Sequence, residues 1–307
     1  MKSIPHPIQY QGSKRILASA ILRYVPANTA RLIEPFAGSA AMSIAAAAAQ
    51  KAATYWINDL NKPLAELLDL IVNSPLKTAT EYERIWNAQH DNVEHFYKVR
   101  EDFNRTQNPY LFLYLLARCV KGSVRYNADG EFNQSPDKRR FGTQPNTMRN
   151  NICGVSALLK GKTKFSSSDY RLILAEATPS DVIYMDPPYQ GVCGERDSRY
   201  FSGIAHDDFV AELDELNSRG ISYLVSYDGR RGDKVFGEPL PVGLDLTHME
   251  LEAGRSSQST LLGREETTVE SLYFSRALST RLTDNARDYR PAPTPQLTLL
   301  QRVAQYA

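Results

Sequence analysis

Two apolar runs on either side of a glycine turn constrain this chain most. Arg31-Leu-Ile-Glu-Pro-Phe36 reads as a short strand, Gly38-Ser39 as a tight turn, and Ser39 to Lys51 as an alanine-rich helix. Thr54-Tyr-Trp-Ile-Asn-Asp59 then reads as a second strand. Strand, turn, helix and strand in fewer than 40 residues make a βαβ unit, which demands a mainly parallel sheet. Upstream, the chain reads as extended to Gln11, with Ser13 capping a helix from Lys14 to about Tyr24; downstream, Pro63 marks the start of another helix.

The α/β pattern resumes late. Asp181-Val-Ile-Tyr-Met-Asp186 reads as a buried strand, Phe209 to Ser218 as an amphipathic helix and Ile221 to Tyr227 as a strand. Val242 to Thr247 and Glu270 to Ser275 are expected to close the sheet. Between the two halves the character changes. Helices, one of them Tyr110 to Val120, precede an expected hairpin over Val124 to Asn133 that turns at Asp129-Gly130. From Arg118 to Lys164, ten Lys/Arg stand against three Asp/Glu; this segment is net +7 in a chain of net charge +1. Charge concentrated this way suits a polyanionic partner, although such runs are often only solvated faces. The expected division is a discontinuous catalytic unit (1–75 and 165–276), an insert (76–164) and a tail (277–307) holding a short amphipathic helix after three prolines.

Composition narrows the classes. With 307 residues, 42% hydrophobic and 23% charged, the chain is too long and apolar for a disulfide scaffold or a disordered protein. Cys119, Cys153 and Cys193 are scattered without ligand spacing, so no metal site is expected and a reducing compartment is. The longest apolar stretch, Met42 to Ala49, is far short of the ~20 residues of a membrane span. The opening residues lack the apolar core of a signal peptide. A soluble, cytoplasmic protein without membrane contact is the expectation.

Asp186-Pro-Pro-Tyr189, ending an apolar strand, is the sharpest chemical signal. Ligands of open α/β sheets sit at the carboxyl ends of strands. Two prolines hold the backbone rigid without N–H donors, leaving nearby carbonyls free to accept. A carboxylate and a fixed carbonyl can together take both hydrogens of one amino group, and Tyr189 offers a flat face to an aromatic ring. The constellation suits an exocyclic amine on a planar base; the plainer reading is a proline turn with a helix-capping Asp. Asp59 follows Gly38 by 21 residues, a spacing that fits a nucleoside with free ribose hydroxyls, or else an ordinary tight turn. A helix start behind that turn favours a carboxylate. S-adenosylmethionine combines ribose, adenine and such a carboxylate. His206 is tempting as a base but more simply starts the following helix.

The order Gln9-Tyr-Gln-Gly-Ser-Lys14, Glu34-Pro-Phe-Ala-Gly38, Asp59, basic insert, Asp186-Pro-Pro-Tyr189 resembles the Dam-type (alpha-class, D12-like) DNA adenine-N6 methyltransferases over about Gln9 to Phe274. The resemblance implies a methyltransferase-type, Rossmann-like α/β sheet with an inserted, mostly helical target-recognition unit carrying a β-hairpin. It also implies S-adenosylmethionine as methyl donor and an adenine flipped out of double-stranded DNA. Asp186, Pro187, Pro188 and Tyr189 would then be catalytic. Tyr10, Lys14, Phe36, Gly38, Ser39, Asp59, Asp169 and Tyr170, with Asp186, would line the cofactor site. Gln9, Lys121, Arg125, Tyr126, Asn127, Asn133, Lys138, Arg139, Arg140 and Arg255 would face DNA, Arg125 reading a base and Lys138 to Arg140 holding phosphates.

Three departures from the family's pattern matter. Ala40 stands where a second glycine is common, Gln9 replaces the lysine of GATC-specific members, and Arg118 to Arg125 lacks their Tyr-Asn pair. A recognition site other than GATC is therefore implied. A cognate restriction endonuclease acting separately is the expected associate, and a monomer the expected state. The rivals are an RNA adenine methyltransferase and a non-catalytic DNA-binding protein on the same scaffold.

Overall fold

The computed structural model describes residues 4–89, 92–188, 204–231, 234–236, 239–255 and 267–288. The first half of the sheet is built from β1 (Thr29–Glu34), β2 (Ala52–Asn58), β3 (Thr163–Ser166) and β4 (Asp181–Met185). The second half adds β5 (Ser222–Arg231), β6 (Lys234–Phe236), β7 (Thr247–Arg255) and β8 (Thr267–Phe274). The order is β3-β2-β1-β4-β5-β8-β7, with β6 pairing off β5. The first five strands run parallel, whereas β8 pairs antiparallel with both β5 and β7. The mixed α/β architecture is of methyltransferase type, as expected.

Alternation along the strands explains why both faces are covered. Leu32, Tyr55, Ile57, Val182 and Tyr184 point to one face, and Ile33, Trp56, Ile183 and Met185 to the other. A strand apolar on both faces belongs inside a parallel sheet. On the first face lie α1 (Ala18–Ile21), α2 (Ala41–Ala48) and α3 (Lys62–Asn73), the last with Pro63 in its first turn. The insert follows with α4 (Pro75–Asn87), α5 (Val93–Thr106), α6 (Pro109–Arg118) and α7 (Pro145–Leu159). Its Phe96, Phe103, Phe112 and Ile152 belong to the same continuous cluster as Leu32 and Tyr55, so the insert extends that core. The opposite face is covered by α8 (Tyr170–Ala175) and α9 (His206–Ser218) through Ile173, Leu174, Phe209 and Leu213.

Several elements differ from expectation. Ser13 caps no long helix: Gly12 is at φ +85, Lys14 is buried, and regular α-helix is confined to α1 before a 3-10 turn at Leu22–Tyr24. Val242–Leu244 forms a 3-10 turn rather than a strand, because Pro241 precedes it and Asp245, at φ +52, turns the chain; β7 starts at Thr247. The expected hairpin narrows to one antiparallel bridge, Tyr126 to Phe132, around Gly130 at φ +76. The tail reading missed α10 (Arg276–Asp288), which buries Leu278 and brings Arg281 to the carbonyl of Asp181 at 3.0 Å. The helix expected near Leu297 lies outside the described residues. Among the described residues, no helix is long and apolar enough to cross a membrane.

One close approach ties the N-terminal segment to the insert. Gln11 N–H donates to the carbonyl of Gly122 at 2.9 Å, and Gly122 is at φ +59. A Cβ there would stand 2.7 Å from the backbone oxygen of Gln9. Gly122→Ala is therefore expected to cost about 2 kcal/mol through backbone strain and displacement of residues 9–11. Urea unfolding would register it as a lower midpoint with unchanged slope.

Candidate functional site

The carboxyl ends of β1, β2 and β4 open onto a cavity of about 310 Å³. Its walls come from the turn after β1 (Glu34 to Ser39), residues 59–61 after β2, Ser168 to Arg171 after β3, and Asp186 to Pro188 after β4. Tyr10 to Lys14 close it from the N-terminal segment, and Val124 and Tyr126 from the insert. Parallel strands bring these turns to one edge because every crossover helix returns the chain to the opposite edge.

The glycine turn is held by the acid expected to follow it. Asp59 Oδ2 accepts the Gly38 N–H at 2.8 Å, and Oδ1 accepts the Asn61 N–H at 2.9 Å. Burial raises the Asp59 carboxyl above its ordinary range, against the pull of these two donors. Gly38 is at φ +51, and a Cβ on it would meet the Tyr10 ring at 3.3 Å. Ala40, in place of a second glycine, itself takes the left-handed conformation at φ 53. Ser39 is buried, its hydroxyl 2.8 Å from that of Ser13. Phe36 packs on Tyr170 with centroids 5.1 Å apart, and Phe209 supports both rings. Asp169 caps α8 and chelates Arg171; the Arg171 guanidinium holds its carboxyl below the usual range.

Lys14 is 8% exposed, with its ammonium 3.0 Å from Asp186 Oδ1 and 3.1 Å from Glu270 Oε2 on β8. The residue expected on the cofactor side thus also grips the expected catalytic carboxylate. Pro187 and Pro188 line the cavity directly after Asp186, and Tyr189 lies outside the described residues.

The residues expected to face DNA divide. Gln9, Arg125, Asn133, Lys138, Arg139 and Arg140 are exposed. Gln9 reaches Thr143 Oγ1 at 3.4 Å. The backbone of the basic loop is pinned by buried Arg118, which donates to the carbonyls of Asp137 and Arg140, and by Trp86, which donates to that of Phe141. Tyr126 does not face outward: it is buried, and its hydroxyl takes a hydrogen bond from Asn61 at 2.7 Å. Asn127 spends its side-chain oxygen on the N–H groups of Asp129 and Glu131, building the turn. Lys121 lies in the 3-10 turn Val120–Gly122, and Arg255 ends β7.

Sequence reasoning missed three groups. Asn58 ties three of the turns together, donating to the carbonyls of Pro35 and Ser168 and accepting from Ser166 and Ser168. Glu270 is the second carboxylate on Lys14. Glu34, 3% exposed, accepts the N–H and hydroxyl of Ser43 at 3.0 and 2.5 Å. Adjacency to Asp59 and a Glu-Pro dipeptide were the only available signals for Asn58 and Glu34, and Glu270 had none.

Burial lifts the Glu34 carboxyl to about 7, with nearby Asp186 adding to the rise and Ser43 opposing it. The folded state therefore holds a proton that the unfolded chain releases above its ordinary value of 4.5, and stability falls as pH rises through that window. Glu34→Gln keeps the acceptor for Ser43 without the titration. Between pH 5 and 8 the variant should gain on the order of 3 kcal/mol relative to wild type in urea unfolding. Parallel pH profiles would contradict the protonated carboxyl.

Residues 10–250 match the D12 class N6 adenine-specific DNA methyltransferase family. The DNA adenine methylase of Serratia marcescens is 29% identical over 186 residues, 59% of this chain and 66% of that protein. The DNA N-6-adenine-methyltransferase of Escherichia phage P1 is 28% identical over 236 residues, 72% of this chain and 29% of that protein. Of both proteins the match covers less than two thirds of the length. The retron Ec67 DNA adenine methylase of Escherichia coli is 26% identical over 261 residues, 81% of this chain and 84% of that protein. With the matched segment spanning well over half its length, the chain belongs to the D12 class N6 adenine-specific DNA methyltransferase family.

Proposed function

We propose that this chain methylates N6 of adenine in double-stranded DNA, with S-adenosylmethionine as donor and a recognition site other than GATC. The observation that carries the reading is Asp186, held at the carboxyl end of β4 by a buried lysine on the wall of a cavity that also contains Asp59.

The cavity's chemistry fits the donor. Its volume of about 310 Å³ is at the lower end for small-ligand sites. The Asp59 carboxylate keeps lone pairs for ribose hydroxyls beyond the two backbone N–H groups it already accepts. Phe36 and Tyr170 offer apolar faces to a purine. Bound there, S-adenosylmethionine supplies a methyl group on a cationic sulfur.

The nucleophile needs help, because the lone pair of an adenine amine is delocalised into the ring. The Asp186 carboxylate and the Pro187 carbonyl accept hydrogen bonds from its two N–H groups, localising the pair and aiming it along the line of displacement, and the proton that N6 sheds on gaining the methyl group passes to the Asp186 carboxylate. Lys14, its ammonium 3.0 Å from Asp186 Oδ1, fixes the rotamer of that side chain. The target base must leave the duplex to reach this depth, and stacking on Tyr189 offsets part of an unstacking cost of about a few kcal/mol. Division of the chain at 76–164 then makes the insert the DNA-recognition unit, with Arg125 exposed on its hairpin beside the cavity wall formed by Val124 and Tyr126.

Asp186→Ala tests the chemistry: methyl transfer to duplex DNA should fall by at least ~10³-fold while DNA affinity stays within about twofold. Substantial turnover in that variant would remove Asp186 from the mechanism. Duplex RNA accepting methyl groups as well as DNA does would redirect the substrate assignment. Recognition is tested separately. Arg125→Ala should relax sequence choice, whereas Lys138→Ala should weaken binding to all sequences alike and reduce the salt slope by about 1. Equal, sequence-independent weakening by both substitutions would contradict that division.

A further inference from the structure

Asn61 is 4% exposed and occupies the cap position of α3, yet its side chain accepts no hydrogen bond from that helix. A capping Asn ordinarily turns its oxygen onto the N–H groups of the first turn. Here the amide is held the other way. Nδ2 donates to the Tyr126 hydroxyl at 2.7 Å, while Oδ1 is buried without a hydrogen-bond partner among the described residues. An unmet buried acceptor costs about 1–3 kcal/mol. Both residues line the cavity that contains Asp59 and Gly38, and Asn61 N–H is itself bonded to Asp59. A strained choice of this kind at a cavity wall marks a place where a ligand brings the missing donor.

We infer that Asn61 Oδ1 accepts a hydrogen bond from a hydroxyl or amino group of the nucleoside-type methyl donor, and that Tyr126 is the positioning residue that aims it. The inference deepens the proposed function and rests on it. Its consequence reaches across the molecule. Tyr126 stands between Arg125 and Asn127 in the recognition hairpin, its ring packed against Phe132 at 6.1 Å. A hairpin settled on DNA holds the tyrosine hydroxyl in place, the hydroxyl holds the amide, and the amide holds the donor. Linkage makes the effect reciprocal: duplex DNA tightens binding of the donor, and the donor tightens binding of DNA, by one factor.

The test uses the full chain and S-adenosylhomocysteine as probe, titrated calorimetrically without and with a duplex carrying the methylated site. Tyr126→Phe keeps the buried ring and removes only the hydroxyl. It should weaken probe binding about tenfold and abolish the tightening by duplex, while the thermal midpoint falls only by the few degrees that one lost buried hydrogen bond costs. Asn61→Ala should weaken binding at least as much. The double variant should be no weaker than Asn61→Ala alone, because the tyrosine acts only through the asparagine. Wild-type affinity in Tyr126→Phe, or losses that multiply in the double variant, would overturn the inference. If Asn61→Ala does not fold, Tyr126→Phe decides by itself. A wild-type chain that binds no probe would instead overturn the choice of methyl donor, and this inference with it.

Discussion

A buried ammonium between two carboxylates organises this molecule. Lys14 is nearly inaccessible, and a lysine taken out of water needs paired charge to remain ionised. Its partners come from strands far apart in sequence: Asp186 follows β4 in the parallel half, and Glu270 lies on antiparallel β8. Meeting both forces the N-terminal segment across the carboxyl edge of the sheet. There it covers the glycine turn with Tyr10 and bonds Gly122 of the insert. The long helix anticipated after Ser13 gives way to turns for the same reason, since residues 11–17 serve the ion pairs before they serve helical geometry.

The opposite edge of the sheet is pinned in a comparable way. Arg31 on β1 pairs with Asp181 at the start of β4 at 2.8 Å, Thr178 donates to the same carboxylate, and Arg281 of α10 meets the Asp181 carbonyl. Strand starts are thus fixed by local polar networks. Strand ends are left to turns whose side chains face a cavity. Asn58 joins three of those turns with a fully satisfied amide, which keeps the site open while its walls stay rigid.

Much of this was legible in the sequence because it is written in periodicity. Runs such as Arg31 to Glu34 and Asp181 to Met185 are apolar throughout their interiors, as strands buried on both faces must be, and the Gly38 turn with Asp59 declared the site's edge. Contacts between distant segments were not legible. Nothing local distinguishes a lysine that touches a cofactor from one that grips Asp186. Tyr126 sits in a basic hairpin and reads as a DNA contact, yet its ring belongs to the core and its hydroxyl to Asn61. Val242 looked like a strand residue by composition; the preceding proline and the left-handed Asp245 turned the backbone first. The capping position of Asn61 likewise conceals an oxygen that the helix does not use.

In the proposed reaction, a carboxylate held by Lys14 directs methyl transfer to adenine in duplex DNA. The most direct measurement is modification-sensitive long-read sequencing of DNA from a methylase-free host expressing the chain. N6-methyladenine at one short motif other than GATC is the expected result. Genomic DNA without a methyl mark at any motif, from cells in which the folded protein is abundant, would contradict it.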